Sequence, residues 1–272
     1  MMTNLLSVMN DGYEIPSVGY GTWRVSDAES EALVIEALNL GYRHIDTAMI
    51  YENETGVGNG IANSGVDRDE IFVTTKLWTT DQADPEAALA TSLRKLRLDH
   101  VDLYLIHWPA PALDLYPKAW ETLIKLREKG MTTSIGVSNF TPEHLDAIKA
   151  SGVVPAVNQI EVHPNFPNTR STEANEAQDI LTECYCPLGR GHYFSDPILA
   201  EISETHGASP AQVVLAWHLA KGYVPLPKSS TPSRIKENLD AQDIELSQED
   251  VTAIDLITRG NKICADPALF NG

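Results

Sequence analysis

Eight short β-rich runs, each followed by a stretch with helical features, constrain this chain more than any single motif. The runs are SVGYG (17–21), YRHID (42–46), IFVTTK (71–76), VDLYLIH (101–107), TTSIGVS (132–138), AVNQIE (156–161), DILTECY (179–185) and GYVPLP (222–227). The helical stretches carry explicit start signals. Asp84-Pro85, Thr141-Pro142, Ser209-Pro210 and Thr231-Pro232 each set an N-cap residue before a proline at the first helical position. There the missing N–H leaves no bond unmade and the fixed φ suits the helix. Ser209 and Gln212 also have capping-box spacing. Within 116–130, Trp120, Leu123, Ile124 and Arg127 recur at three- and four-residue steps, with the apolar members on one face. Eight such alternations in 272 residues predict a (β/α)8 TIM barrel forming a single domain over 1–272; a doubly wound open sheet is the alternative. Three additions are expected: an amino-terminal hairpin around the Asn-Asp-Gly turn of SVMNDGYEIP, extra helices over about 196–206 and 246–257, and a tail after Gly260 folded over the active-site rim.

Composition narrows the partners. The formal net charge is −18 and the pI near 4.7, which argues against nucleic acid and against an anionic membrane. No apolar run approaches the roughly 18 residues of a spanning helix, and the start MMTNLLSVMNDG lacks the basic and long apolar regions of a signal peptide. Cys184, Cys186 and Cys264 form no disulfide framework, so the reducing cytoplasm is the expected location. Buried thiols are the expected state of Cys184 and Cys186, and no metal site is expected, because Cys-x-Cys without histidines at ligand spacing is a poor one.

In a (β/α)8 barrel the chemistry sits at the carboxyl ends of the strands. Asp46 ends the second run, Lys76 the third and His107 the fourth, while Tyr51 lies in the loop after the second. Ser138 and Asn139 end the fifth, Gln159 lies in the sixth, Tyr185 ends the seventh and Lys228 follows the eighth. One charge at a strand end is usually a solvated loop residue; four consecutive units ending this way point to a site. A phenol near pKa 10 is a poor acid near neutrality, a nearby ammonium favours the phenolate, and an aspartate would hold that ammonium charged and in place. A histidine beside them can donate a hydrogen bond to a carbonyl or help to reprotonate the phenol. Such a set is suited to protonating a carbonyl oxygen as charge develops on it, given a separate source of hydride.

That source is not a Rossmann motif. GVGNG (56–60) is followed by Ile61 where a third glycine is needed and lies in a helical stretch before the third run. In PKSSTPSRIKENL (227–239), by contrast, Lys228 and Arg234 flank the Thr231-Pro232 helix start. A helix N-terminus with two cations suits phosphate, although a solvated helix with ordinary charges is an equal reading of that stretch alone.

These residues, taken in order, resemble the aldo-keto reductases over essentially the whole chain. GYRHIDTAMIYENETGVG (41–58), TTKLW (74–78), VDLYLIHWP (101–109), VNQIEVHP (157–164) and PKSSTPSRIKENL carry the likeness. Within the family the chain is similar to bacterial 2,5-diketo-D-gluconate reductases, for example in GVVPAVNQIE (152–161). The resemblance implies reduction of an aldehyde or ketone by NADPH, with NADH less favoured, in a monomer without nucleic-acid or membrane partners. It implies a tetrad of Asp46, Tyr51, Lys76 and His107, with Tyr51 as the acid. Ser138, Asn139 and Gln159 would hold the nicotinamide carboxamide and Tyr185 would stack on its ring. PLGRG (187–191), with Leu188, Gly189 and Gly191, would wrap the pyrophosphate, Lys228 and Arg234 would grip the 2′-phosphate, and Ser229 would join the cofactor site. Glu237 and Asn238 would meet adenine, while Thr22 and Trp23 would complete the cofactor site. Trp23, Trp78 and Trp108 would line the substrate pocket. Keto-sugar acids and small dicarbonyls such as methylglyoxal are both compatible substrates. A non-catalytic cofactor sensor on the same barrel is the competing reading, disfavoured by the intact tetrad.

Overall fold

Alternation of side chains along each strand decides which residues can meet, and the fold follows from it. The structure, a computed structural model, describes residues 5–260 and 262–272; residues 1–4 of the amino-terminal stretch read above lie outside the described residues. The hairpin forms as expected, β1 (Leu6–Val8) pairing antiparallel with β2 (Glu14–Pro16). Eight parallel strands then follow: β3 (Tyr20–Gly21), β4 (His44–Asp46), β5 (Phe72–Leu77), β6 (Val101–Ile106), β7 (Thr132–Ser138), β8 (Val157–Glu161), β9 (Leu181–Tyr185) and β10 (Val224–Pro225). Each neighbours the next in chain order. The backbone N–H groups of Gly19 and Gly21 donate to the carbonyls of Pro225 and Pro227, both at 3.1 Å, and close the sheet on itself. A β-carbon at Gly19 would lie 2.4 Å from the Leu226 side chain and 2.7 Å from the His44 ring, so the seam needs glycine there.

Around the sheet lie α1 (Asp27–Leu40), α2 (Glu54–Asn63), α3 (Pro85–Leu96), α4 (Tyr116–Glu128), α5 (Pro142–Ile148), α6 (Thr169–Glu176), α8 (Pro210–Ala220) and α9 (Pro232–Leu239). The two additions are α7 (Pro197–His206), between β9 and α8, and α10 (Gln248–Asp255) after the last unit. Ser209 and Gln212 form the expected capping box, and Asp84 accepts from the Ala87 N–H. Thr231 behaves differently: its hydroxyl makes no cap bond to α9. The glycines of GVGNG serve packing. A β-carbon at Gly56 would fall 2.1 Å from the Asp27 carbonyl oxygen and one at Gly58 2.3 Å from that of Leu96, so α1 and α3 approach α2 closely.

Strand parity separates two interiors. Val73, Leu77, Tyr104, Ile106, Ile135 and Val137 face the helices in the main core. Phe72, Leu103, Leu105 and Val157 face inward, where Met9 and Ile15 from the hairpin pack against them. By the same alternation His44, Asp46, Lys76, Gln159, Glu183 and Tyr185 share the inward face, toward its carboxyl end.

Candidate active site

Lys76 is the buried centre of this polar layer. Its ammonium is fully enclosed and donates to Asp46 Oδ1 at 2.7 Å and to the Thr47 carbonyl at 2.8 Å. Burial works against its charge, but Asp46 and Tyr51 outweigh it and the pKa is raised. Tyr51 sits in a 3-10 turn after β4, with the Lys76 ammonium 5.2 Å from its ring centroid. Enclosure of the phenol raises its pKa, and the pull of Lys76 reduces that rise without reversing it. The expected lowering by lysine is therefore present as a component while the net direction is upward, which keeps the phenol protonated. His107 packs edge-on to Tyr51 at 5.7 Å and to Trp78 at 5.2 Å. Burial, with Lys76 nearby, holds its pKa well below the usual value. A neutral imidazole is a hydrogen-bond donor rather than a source of charge.

Beneath this group lies an acid that the sequence reading did not single out. Gln159 Nε2 donates to Asp46 Oδ2 at 2.9 Å and to Glu183 Oε2 at 3.0 Å. Glu183 is fully buried, and burial with the charge of Asp46 pushes its carboxyl up to about 8. An acid in the middle of DILTECY, at the same parity as Tyr185, was the available signal.

Asp46, Tyr51 and His107 open onto a cavity of about 1250 Å³. Trp23, Trp78, Trp108, Asn139, Gln159, Tyr185, Leu188, Gly191, Lys228, Ser229, Arg234, Glu237 and Asn238 are brought to its wall. Thr22, Ser138 and Gly189 are not. Thr22 Oγ1 donates to the Asp46 carbonyl and Ser138 Oγ to the Gln159 carbonyl, so both work behind the wall. Asn139, at φ 63°, is also engaged: its Nδ2 donates to the His107 carbonyl and its Oδ1 accepts the Tyr185 hydroxyl at 2.6 Å. Arg24, Cys186, Cys264 and Phe270 line the cavity as well, and sequence reasoning assigned none of them to it; Arg190, within the expected PLGRG wrap, also lines it. Cys184 is buried as expected, whereas Cys186 is only half-buried and reaches the cavity.

The tail crosses the rim. Ile263 N and Cys264 N donate to the two carboxylate oxygens of Glu161 at 2.6 and 2.9 Å, and Phe270 packs 4.3 Å from Trp108. Also at the cavity, the first turn of α9 has no side-chain acceptor from Thr231, and Lys228 and Arg234 stand beside it. A helix start with two cations and no cap of its own is chemically fitted to phosphate. The cavity exceeds the roughly 300–1000 Å³ usual for a small ligand. Its volume, the aromatic wall and the cationic end together fit a dinucleotide with a small substrate.

Comparison with known proteins decides the family. Residues 17–259 match the model of the "Aldo/keto reductase family". The chain belongs to that family. Methylglyoxal reductase DkgA of Yersinia pestis is 45% identical to this reductase, covering 96% of this chain and 95% of that protein. The crystal structure of an aldo/keto reductase from Brucella melitensis is 48% identical, with a TM-score of 0.92, over 94% of this chain and 99% of that one. A mutant of Gox0644, solved in complex with NADPH, is 43% identical with a TM-score of 0.94, over 98% and 99% of the two chains.

Proposed function

We propose that this aldo/keto reductase uses Tyr51 as the proton donor in NADPH-dependent reduction of small aldehydes and ketones. The observation that carries the assignment is the buried Lys76–Asp46 pair set behind a protonated phenol at the cavity wall. When bound, NADPH supplies the hydride that the carbonyl carbon receives. Tyr51 delivers its hydroxyl proton to the carbonyl oxygen as that oxygen gains charge. Lys76 stabilises the phenolate left behind, and Asp46 keeps Lys76 charged and fixed. His107, neutral, donates a hydrogen bond to the same oxygen and orients it. Trp23, Trp78, Trp108 and Phe270 exclude water around the substrate. Gln159, whose Nε2 is held by Asp46 and Glu183, offers its Oε1 to the cofactor's carboxamide, and Asn139 orients Tyr185 as the surface on which the nicotinamide ring rests. Lys228 and Arg234 take the phosphate beyond the ribose, with Glu237 and Asn238 toward adenine.

Methylglyoxal and related small dicarbonyls are the favoured substrates, supported by the name of the DkgA relative and by the aromatic wall. Keto-sugar acids follow as the second group to test. Tyr51→Phe is expected to bind NADPH normally and to lose roughly 10²–10⁴-fold in carbonyl turnover. Near wild-type turnover in that variant would remove Tyr51 from the mechanism. Replacing Lys228 and Arg234 together by alanine is expected to weaken NADPH much more than NADH, since each charged hydrogen bond contributes about 1.5–3 kcal/mol. Equal losses for the two cofactors, read by titration of protein fluorescence, would place the 2′-phosphate elsewhere.

A further inference from the structure

Two of the three cysteines come together at the cavity from distant parts of the chain. In the β8–β9 register Glu161 lies opposite Tyr185, and Cys186 is the next residue after that strand. Cys186 has φ 52°, an uncommon conformation for a residue with a side chain, and turns the chain away from the strand. From the other side, Glu161 grips the tail through the N–H groups of Ile263 and Cys264 and lies 3.5 Å from the Lys262 ammonium. The same glutamate therefore fixes the backbone of Cys264 beside the strand that presents Cys186. Both thiols line the cavity and both residues are half-buried, so the Glu161 anchor brings the two side chains to the same end of β9. Cys184 faces outward into the core with Trp217 and Val214, away from this pair.

We propose that Cys186 and Cys264 are a peroxide-sensitive thiol pair whose disulfide ties the C-terminal tail to the end of β9 and blocks turnover. Cys186 is suited to react first. The nearby Cys264 side chain and the Arg190 guanidinium and N–H favour its negative form, so its pKa is lowered despite partial burial. The Cys186 thiolate attacks one peroxide oxygen and the O–O bond breaks, giving a sulfenic acid and hydroxide. Hydroxide takes up the proton released from Cys186 and becomes water. The Cys264 sulfur then attacks the Cys186 sulfur; the S–O bond breaks, the S–S bond forms, and the Cys264 proton leaves with the hydroxyl as a second water. The two sulfurs give up two electrons and hydrogen peroxide accepts them; a dithiol returns both thiols. The sulfurs must close to about 2 Å, a movement that the tail, which has no helix or strand after α10 among the described residues, can make.

The consequence comes from what the bond joins. Cys264, Ala265 and Phe270 of the tail line the cavity, as do Leu188, Arg190 and Gly191, just beyond Cys186. Linking them fixes the cavity mouth and opposes the entry and release of a ligand as long as a dinucleotide. This effect on turnover rests on the proposed NADPH-dependent reduction; formation of the disulfide does not.

The test uses the full chain, reduced and then exposed to hydrogen peroxide. The expected result is a mass lower by two hydrogens, a Cys186–Cys264 cross-linked peptide, and at least a tenfold fall in turnover that a dithiol reverses. Cys264→Ser, compared with its own untreated form, is expected to form no internal disulfide and to yield a Cys186 adduct with a sulfenic-acid trap. Absence of the cross-linked peptide would overturn the pair. A cross-link that left both turnover and the NADPH binding rate unchanged would overturn the block. If no carbonyl were reduced under any condition, the proposed function would fail, while the peptide and the NADPH binding rate would still decide the thiol pair.

Discussion

Glu183 is a residue whose environment opposes its ordinary chemistry. It faces Asp46, Lys76 and Gln159 on one side, and its Oε1 is 3.7 Å from His44 Nε2 on the other. Burial and the Asp46 charge together push its carboxyl up to about 8, while burial holds His44 down to about 4. Near neutrality both are uncharged, leaving Asp46 and Lys76 as the only ion pair of that group. In the unfolded chain the same glutamate titrates near 4.5. Between the two values the unfolded state has released a proton that the folded state keeps, so this group makes stability fall as pH rises from about 4.5 to about 8. Glu183→Gln preserves the side-chain shape and removes the titration. Urea midpoints measured across that range are expected to decline less with pH in the variant. Parallel wild-type and variant curves would mean that Glu183 is already ionised in the fold. The sequence made the neighbours of this acid legible and not the acid itself. Asp46, Lys76 and His107 end their β-runs, where a charge stands out, whereas Glu183 lies two residues inside its run and matters only once the barrel encloses it.

At the scale of elements, local signals were read well where the reasons are local. TTSIGVS appears as β7 over the same seven residues. GYVPLP shrinks to Val224–Pro225, since Pro225 and Pro227 lack the N–H a ladder needs. Thr231 and Pro232 start α9 where expected, but the Thr231 hydroxyl does not cap it, and its neighbourhood is organised differently: Ser229 Oγ accepts the Thr231 N–H and Lys228 donates to Ser230. The fold of the tail over the rim was expected, but what holds it there was hidden, because its anchor lies about a hundred residues away in the sequence. Glu161 closes VNQIE as an unremarked strand-end acid, yet it holds His163, Ile263, Cys264 and Lys262 together. Burial alone would raise its pKa, but the bonds from His163 and from the two N–H groups, with Lys262, bring it down to about 2. Its contribution to stability is therefore present above about 4.5 and lost as pH falls toward 2. Glu161→Gln is expected to release the tail, raising KM for small carbonyl substrates several-fold with less change in kcat, and speeding proteolysis after α10. A protease-resistant tail with unchanged KM would show that the aromatic contact of Phe270 with Trp108 holds the segment without Glu161.

The whole molecule depends on a seam that joins the two ends of the barrel. β3 and β10 are separated by most of the sequence, and the N–H groups of Gly19 and Gly21 connect them through two carbonyls. Loop-closure entropy makes such a contact unfavourable until the six intervening strands are in place, so the seam should form and fail with the rest. The chain's two larger apolar clusters, one containing Trp120 and the other Trp217, lie on different parts of the helical layer. If 1–272 is one domain, as the eight-fold alternation implies, they unfold together. Gly19→Ala tests both points. The added carbon meets the flexible end of Leu226 and also the His44 ring, which Thr74 at 3.1 Å and Phe72 at 5.0 Å hold in place. Overpacking of this kind costs about 1–3 kcal/mol. The variant is expected to unfold at lower urea, with tryptophan fluorescence and far-ultraviolet dichroism shifting by the same amount and remaining coincident. Two separated transitions, with only one moved by the substitution, would divide the barrel into independently folding parts and place the seam in one of them.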